Sequence, residues 1–241
     1  MKSSSSRVVW ITGASSGIGR SLAEVFAENG DHVVAAARNL RALRDLRRHI
    51  EENGRSCEVV ACDIKDESQV RKVSGVILKK YRFIDVLVNN AGVTYFKDFL
   101  STSVREFDEV IGTNLRGLFL TTKSVVPSML RRKRGVIVNI LSFAAKTIYT
   151  KSTAYSASKS GAEAMMNVLR AEVRNSGVKI INVYPGAVFT PMWAPKHRKK
   201  YSKRMIDPNV VARLVYEASS QPLSAMVEEL IIRPQGGDLR I

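Results

Sequence analysis

A chain of 241 residues that is 45% hydrophobic is long enough for one large α/β domain with a substantial core. No apolar run approaches the roughly 18 residues of a membrane span, and the polar start, residues 1–6, is too short for a secretory leader, so a cytoplasmic location is expected. The formal net charge of +16 draws anions, but the basic clusters at 41–48, 131–134 and 196–204 carry no interleaved aromatics, which argues against nucleic acid as the partner.

In chain order, Val- and Ile-rich runs predict strands over 8–12, 32–37, 58–62, 86–89, 136–140, 179–184 and 229–232. The runs are continuous rather than alternating, which suits strands buried on both faces of a parallel sheet. Helical patterns fall between them over 19–29, 40–53, 68–81, 103–130, 154–175 and 209–220. Gly30, Gly54 and Gly177 stand where a left-handed residue would close three of those helices. Regular βα alternation without a repeat or linker predicts a single α/β domain over 1–241. Its core is a Rossmann-type doubly wound parallel sheet of about seven strands, with helices on both faces. Cys57 and Cys62 are too few for a disulfide framework and lack a His pair, so no metal site is expected.

The first strand runs into Thr12-Gly13-Ala14-Ser15-Ser16-Gly17-Ile18-Gly19. Glycines allow a sharp turn and close approach to a pyrophosphate, and the helix that follows offers free N–H groups. Its position after the first strand makes the turn, from Gly13 through Ser15, Ser16, Gly17 and Ile18 to Gly19, a phosphate cradle. The second strand ends in alanines followed by Arg38, where an NAD site would carry a carboxylate for the ribose 2′-OH. Arg38 can instead pair with a 2′-phosphate, so NADP(H) is the expected cofactor.

These residues resemble the classical short-chain dehydrogenases/reductases across nearly the whole chain. The resemblance rests on Thr12-Gly13-x3-Gly17-Ile18-Gly19, Asp63, Asn89-Asn90-Ala91-Gly92, Asn114, Ser142, Tyr155-x3-Lys159, Pro185-Gly186 and Thr190, in that order. It implies an active site of Asn114, Ser142, Tyr155 and Lys159, and a homotetramer or homodimer built partly on the Tyr155 helix. It implies that Asp63 holds the adenine amino group with Ile64 beside the ring. Asn90, Ala91 and Gly92 would line the cofactor, and Pro185, Gly186, Val188 and Thr190 would border the nicotinamide. Ser142 would bind the substrate carbonyl, Lys159 the nicotinamide ribose. Asn114, at a helix distortion, would hold a water that links Lys159 to solvent.

Tyr155 and Lys159, four apart, project from one helix face. A nearby ammonium would lower the phenol pKa and fit Tyr155 to shuttle a proton while a hydride moves between NADPH and a ketone or aldehyde. Thr94, Tyr95, Phe96, Phe143, Ala144, Tyr149, Ala187, Met192 and Trp193 are the expected pocket wall, mainly apolar, for a hydrophobic carbonyl or alcohol substrate. Residues 190–205 are expected to form a lid, whose basic run is either a recogniser of an anionic carrier or a solvated helix. A non-catalytic NADP(H) sensor and a nucleic-acid-associated protein remain the alternative functions; sensors often lose the Tyr or Lys that is present here.

Overall fold

The computed structural model describes residues 6–239, so the expectation for the first residues of the chain falls, for 1–5, outside the described part. Seven strands, β1 (Val8–Thr12), β2 (His32–Ala37), β3 (Cys57–Ala61), β4 (Val86–Asn89), β5 (Gly135–Ile140), β6 (Val178–Pro185) and β7 (Glu229–Ile232), form one sheet in the order β3-β2-β1-β4-β5-β6-β7. Every neighbouring pair is parallel. All residues of β1 and β6 are buried, as the unbroken apolar runs require.

Between the strands lie α1 (Gly17–Glu28), α2 (Leu40–Glu52), α3 (Glu67–Tyr81), α4 (Val104–Ile111), α5 (Leu118–Arg132), α6 (Thr153–Val173), α7 (Pro195–Tyr201) and α8 (Pro208–Ser219). Leu22 and Phe26 of α1, Leu43 and Leu46 of α2, and Val211 and Val215 of α8 pack with Val9 and Ile11 on one face of the sheet. Val70 and Ile77 of α3, Met129 of α5 and Met166 of α6 pack with Val8 and Trp10 on the other. The alternation within β1 thus sends successive side chains to two separate cores. The strand order reverses between β1 and β4, and ligand crevices of such sheets open beside that switch point, at the strands' carboxyl ends.

The helix expected over 103–130 is interrupted. Residues Gly112–Gly117 form a π-helical turn between α4 and α5. Gly117 sits so close to Ile64 that an added Cβ would lie 2.6 Å from Ile64 Cδ1. Gly30, Gly54 and Gly177 adopt φ of +86°, +70° and +76°, as a left-handed closing residue should. Arg82 and Lys133 end α3 and α5 in the same left-handed region without being glycine. The seven-residue α7 falls on the basic run of 190–205, for which a solvated helix was one of the two readings.

A chain of buried amides crosses the sheet on the α5–α6 side. Thr121 Oγ1 donates to Asn89 Oδ1 at 2.6 Å. Asn89 Nδ2 donates to Asn139 Oδ1 at 3.0 Å, and Asn139 Nδ2 to Asn182 Oδ1 at 2.9 Å. Asn182 Nδ2 then donates to Asn167 Oδ1 at 3.0 Å, which also accepts from Arg170 at 2.8 Å. Asn89, Asn139 and Asn182 are register partners on adjacent strands, so parallel pairing places their amides side by side. Each is buried, and the mutual bonds offset the cost of taking three amides out of water.

Candidate active site

The glycine turn is stapled to the loop after β4. Thr12 Oγ1 accepts from the backbone N–H of Asn90 and Ala91 at 3.0 and 3.2 Å. Asn90 Nδ2 donates to the carbonyls of Thr12 and Gly13 at 2.9 and 3.1 Å. Gly13 has φ +66°, and a Cβ there would stand 2.6 Å from Ala91 Cα, so the two backbones meet only because the residue is glycine. Gly19 presses on the Asn90 side chain in the same way. Gly17, at φ +54°, faces the Thr190 side chain. Ser15 and Ser16 lead into α1, whose first turn holds no acidic residue, and no side chain caps it from Ser16. Ile18 packs on the core beneath. The α1 N-terminus therefore presents free donors to an anion, and the turn fits a dinucleotide pyrophosphate.

Beyond β2, Arg38 is mostly exposed, with Nη1 3.7 Å from Glu109 Oε1 of α4. Glu109 Oε2 also binds Lys65 Nζ at 2.6 Å. The sequence reading left no carboxylate near Arg38; folding brings one from a helix 71 positions further along the chain, a distance no local pattern reports. Asp63 Oδ1 accepts from Lys65 N at 3.0 Å, and Ile64 is buried against Gly117. Asp63, Ile64 and Arg38 thus share one rim of the crevice.

Asn114 lies within the π turn, as a distorted helix there implied. Its side chain closes a ring with Val93: Oδ1 accepts from Val93 N at 2.8 Å and Nδ2 donates to Val93 O at 2.9 Å. Nδ2 also donates to Ser158 Oγ at 3.0 Å. Through that ring α6 and the loop holding Asn90, Ala91 and Gly92 are tied to one helix. Lys159 Nζ is buried and donates to the Ile140 carbonyl at 2.8 Å, and it would stand 3.7 Å from a Cβ at Gly92.

Tyr155 is half-buried and hydrogen-bonded to Ser142, whose Oγ accepts from Ala144 N at 3.1 Å. Burial raises the Tyr155 phenol above its usual pKa, with the Ser142 contact pulling the other way. Burial lowers Lys159 to about 8. Lys159 is not among the groups that shift the phenol in this arrangement. The Lys159 ammonium is aimed at Ile140 O and lies 5.7 Å from the Tyr155 ring centroid, so desolvation governs both groups.

Pro185 ends β6, and Gly186 N donates to Ile232 O at 2.8 Å. Val188 bridges to Ile206, and Phe189 N donates to Ile206 O at 2.9 Å, so residues 190–205 leave and rejoin the fold at one point beside Thr190. Trp193 of that segment stacks on Phe96 with centroids 5.3 Å apart; Met192 is exposed beside it. Phe143 and Tyr149 face the C-terminal segment. Arg233 lies over the Phe143 ring at 4.2 Å and pairs with Asp238 at 2.8 Å, and Asp238 is hydrogen-bonded to Tyr149. Nothing in the sequence pattern marked Arg233 and Asp238 as wall residues. Ala144 and Tyr149 also line an open depression of about 500 Å³ with Lys146 and Ile148, into which Tyr155, Met192 and Trp193 do not reach.

A doubly wound sheet with a glycine cradle at its switch point and a Tyr–Ser–Lys group beside it defines a dinucleotide-dependent oxidoreductase architecture. The chain matches the short chain dehydrogenase family over residues 7–201 and belongs to it. It is an oxidoreductase of the class acting on CH–OH and C=O groups. It is 35% identical over 240 residues to a sepiapterin reductase of Chlorobaculum tepidum, covering 97% of this chain and 98% of that one. A metagenomic short-chain oxidoreductase solved in complex with NADP superposes with a TM-score of 0.84 at 31% identity, covering 95% and 97% of the two chains. An alcohol dehydrogenase of Thermococcus sibiricus complexed with 5-hydroxy-NADP gives 0.88 at 28% identity, covering 98% and 99%. Among the described residues no helix is long and apolar enough to cross a membrane.

Proposed function

We propose that the chain is an NADP(H)-dependent carbonyl reductase in which Tyr155 exchanges the proton. The observation that carries this is the placement of the Tyr155 phenol beside Ser142 and one helix turn from the buried Lys159. At neutral pH the phenol has a proton to donate to a carbonyl oxygen, and a cation brought beside it lowers its pKa toward the range that suits transfer in both directions. Ser142 holds that oxygen and orients the phenol. Lys159, near 8, loses and regains its own proton within reach of neutral pH and can hold ribose hydroxyls. The dinucleotide supplies the hydride. Asn114 acts through Val93 and Ser158, setting the distance between the cofactor loop and α6.

Arg38 and Lys65 are the two cations for a 2′-phosphate, and the NADP-bound neighbours support that choice. Phe96, Trp193, Met192 and Phe143 favour an apolar reacting end for the substrate. Val104, Phe107 and Phe119 stand exposed on α4 and α5, the apolar surface that assembly into a dimer or tetramer would cover.

Tyr155→Phe keeps the ring and removes the proton. NADPH oxidation by a carbonyl panel should fall by about a thousandfold or more, while NADPH binding, read by fluorescence, stays within about twofold. Full turnover in that variant would sink the assignment.

A further inference from the structure

Residues 190–205 carry Lys196, Arg198, Lys199, Lys200, Lys203 and Arg204, and no Asp or Glu occurs anywhere from residue 173 to 206. Among the described residues none of the six cations makes an ion pair with a carboxylate. Lys196, Lys199 and Lys200 are spaced so that like charges face each other along α7, which works against the helix. Arg204 is committed, donating to the carbonyls of Gly236 and Asp238 at 3.4 Å. Arg198 is different: its Nε is buried and has no acceptor. A buried guanidinium donor without a partner is costly, and an oxyanion would satisfy it. The segment is rooted beside Thr190, and Trp193 on Phe96 holds it against the loop that carries Gly92. The unpaired charge is therefore mounted at the mouth of the catalytic crevice and not on a remote face.

We propose that this segment is an anion-binding site for the substrate, with Arg198 as its anchor and Lys199, Lys200 and Lys203 as the surrounding field. The ligand class is a carbonyl compound whose reacting end is apolar and whose far end bears a phosphate or carboxylate. The proposal rests on the carbonyl-reductase reading and names the substrate class for that site. The cofactor's own phosphates have separate partners, the α1 N-terminus and the Arg38–Lys65 pair, which leaves these cations for a second anion.

The test compares methyl 4-formylbenzoate, 4-formylbenzoate and 4-formylphenyl phosphate, which share an aldehyde and differ in charge. Their binding to the NADP⁺-saturated full-length protein is followed by calorimetry, and their turnover by NADPH oxidation. The phosphate should bind about tenfold or more tightly than the ester, and kcat/KM should follow the same order through KM. The preference should shrink as salt rises. In Arg198→Ala and in Lys199→Glu/Lys200→Glu, the phosphate-to-ester ratio should fall toward one, with the thermal unfolding midpoint as the check that each variant is folded. Equal binding of all three compounds overturns the proposal while leaving the reductase reading intact, provided the ester is reduced. A preference that survives both variants overturns it, as does a loss confined to NADPH binding. Capture of a duplex oligonucleotide that the phosphate ester fails to displace would assign the charge to nucleic acid instead and overturn it too. Absence of turnover with any aldehyde, together with absence of NADPH binding, would fail the reductase reading itself.

Discussion

Lys159 is enclosed by protein, and its Nζ donates to one carbonyl, Ile140 O. Its pKa drops from 10.5 to about 8 because burial disfavours the charged form. The sign for stability follows. Between those two values the unfolded chain holds a proton that the folded chain has released, so stability from this group rises with pH through that window. Below it the fold carries the full cost of a buried charge. Lys159→Met should therefore raise the thermal midpoint at pH 7 by a few degrees, about 1–2 kcal/mol, while turnover is lost. It should also flatten the rise in urea midpoint from about pH 8 to about pH 10 that the native chain shows. A lower midpoint for the variant at pH 7 would show that the lysine is a net stabiliser. Glu109 poses the second question at this scale. Its carboxylate holds both Arg38 and Lys65, so it competes with any 2′-phosphate for them. Glu109→Gln should tighten NADPH binding by about three- to tenfold and leave NADH binding nearly unchanged, in titrations of nicotinamide fluorescence.

At the scale of elements, each of the seven strands lies within one or two residues of its expected range, because an apolar run between turn signals has few other places to go in a parallel sheet. The glycine cradle and the Tyr155–Lys159 pair were legible for the same reason: their chemistry depends on spacing along one local segment. What escaped was long-range. The distortion at Asn114 came from the resemblance and not from helical periodicity, which cannot express the contact of Gly117 with Ile64, residues 53 positions apart. The Glu109 carboxylate and the Arg233–Asp238 pair on the pocket wall are likewise products of assembly. Arg82 and Lys133 end helices in a conformation the sequence rule reserves for glycine or asparagine; tertiary context overrides the local preference. The π turn gives a direct test. Gly117→Ala would drive a methyl into Ile64, so stability should fall by about 1–3 kcal/mol in urea unfolding, and pairing it with Ile64→Val should recover part of the loss.

At the scale of the whole molecule, +16 is a large charge for 241 residues, and its uneven placement matters more than its size. Arg38, Lys65 and the 190–205 segment lie around the ligand crevice, so the long-range field should speed the arrival of an anionic cofactor. The NADPH association rate in stopped-flow fluorescence should fall by about tenfold between about 0.01 M and about 0.5 M salt, with a smaller change in the dissociation rate. A rate insensitive to salt would show that the charge plays no part in capture.

The amide chain through Asn89, Asn139 and Asn182 bears on how such an enzyme can vary. Its bonds all point one way, from Thr121 toward Asn167, so turning any single amide over leaves two neighbours facing like to like. It acts as a surveyor's datum line. The loops that start just past it, at Asn90, Ser142 and Gly186, begin at heights pinned to one another across three strands. Mutation can then rewrite the far parts of those loops, and with them the choice of carbonyl, without shifting the level at which proton and hydride must meet.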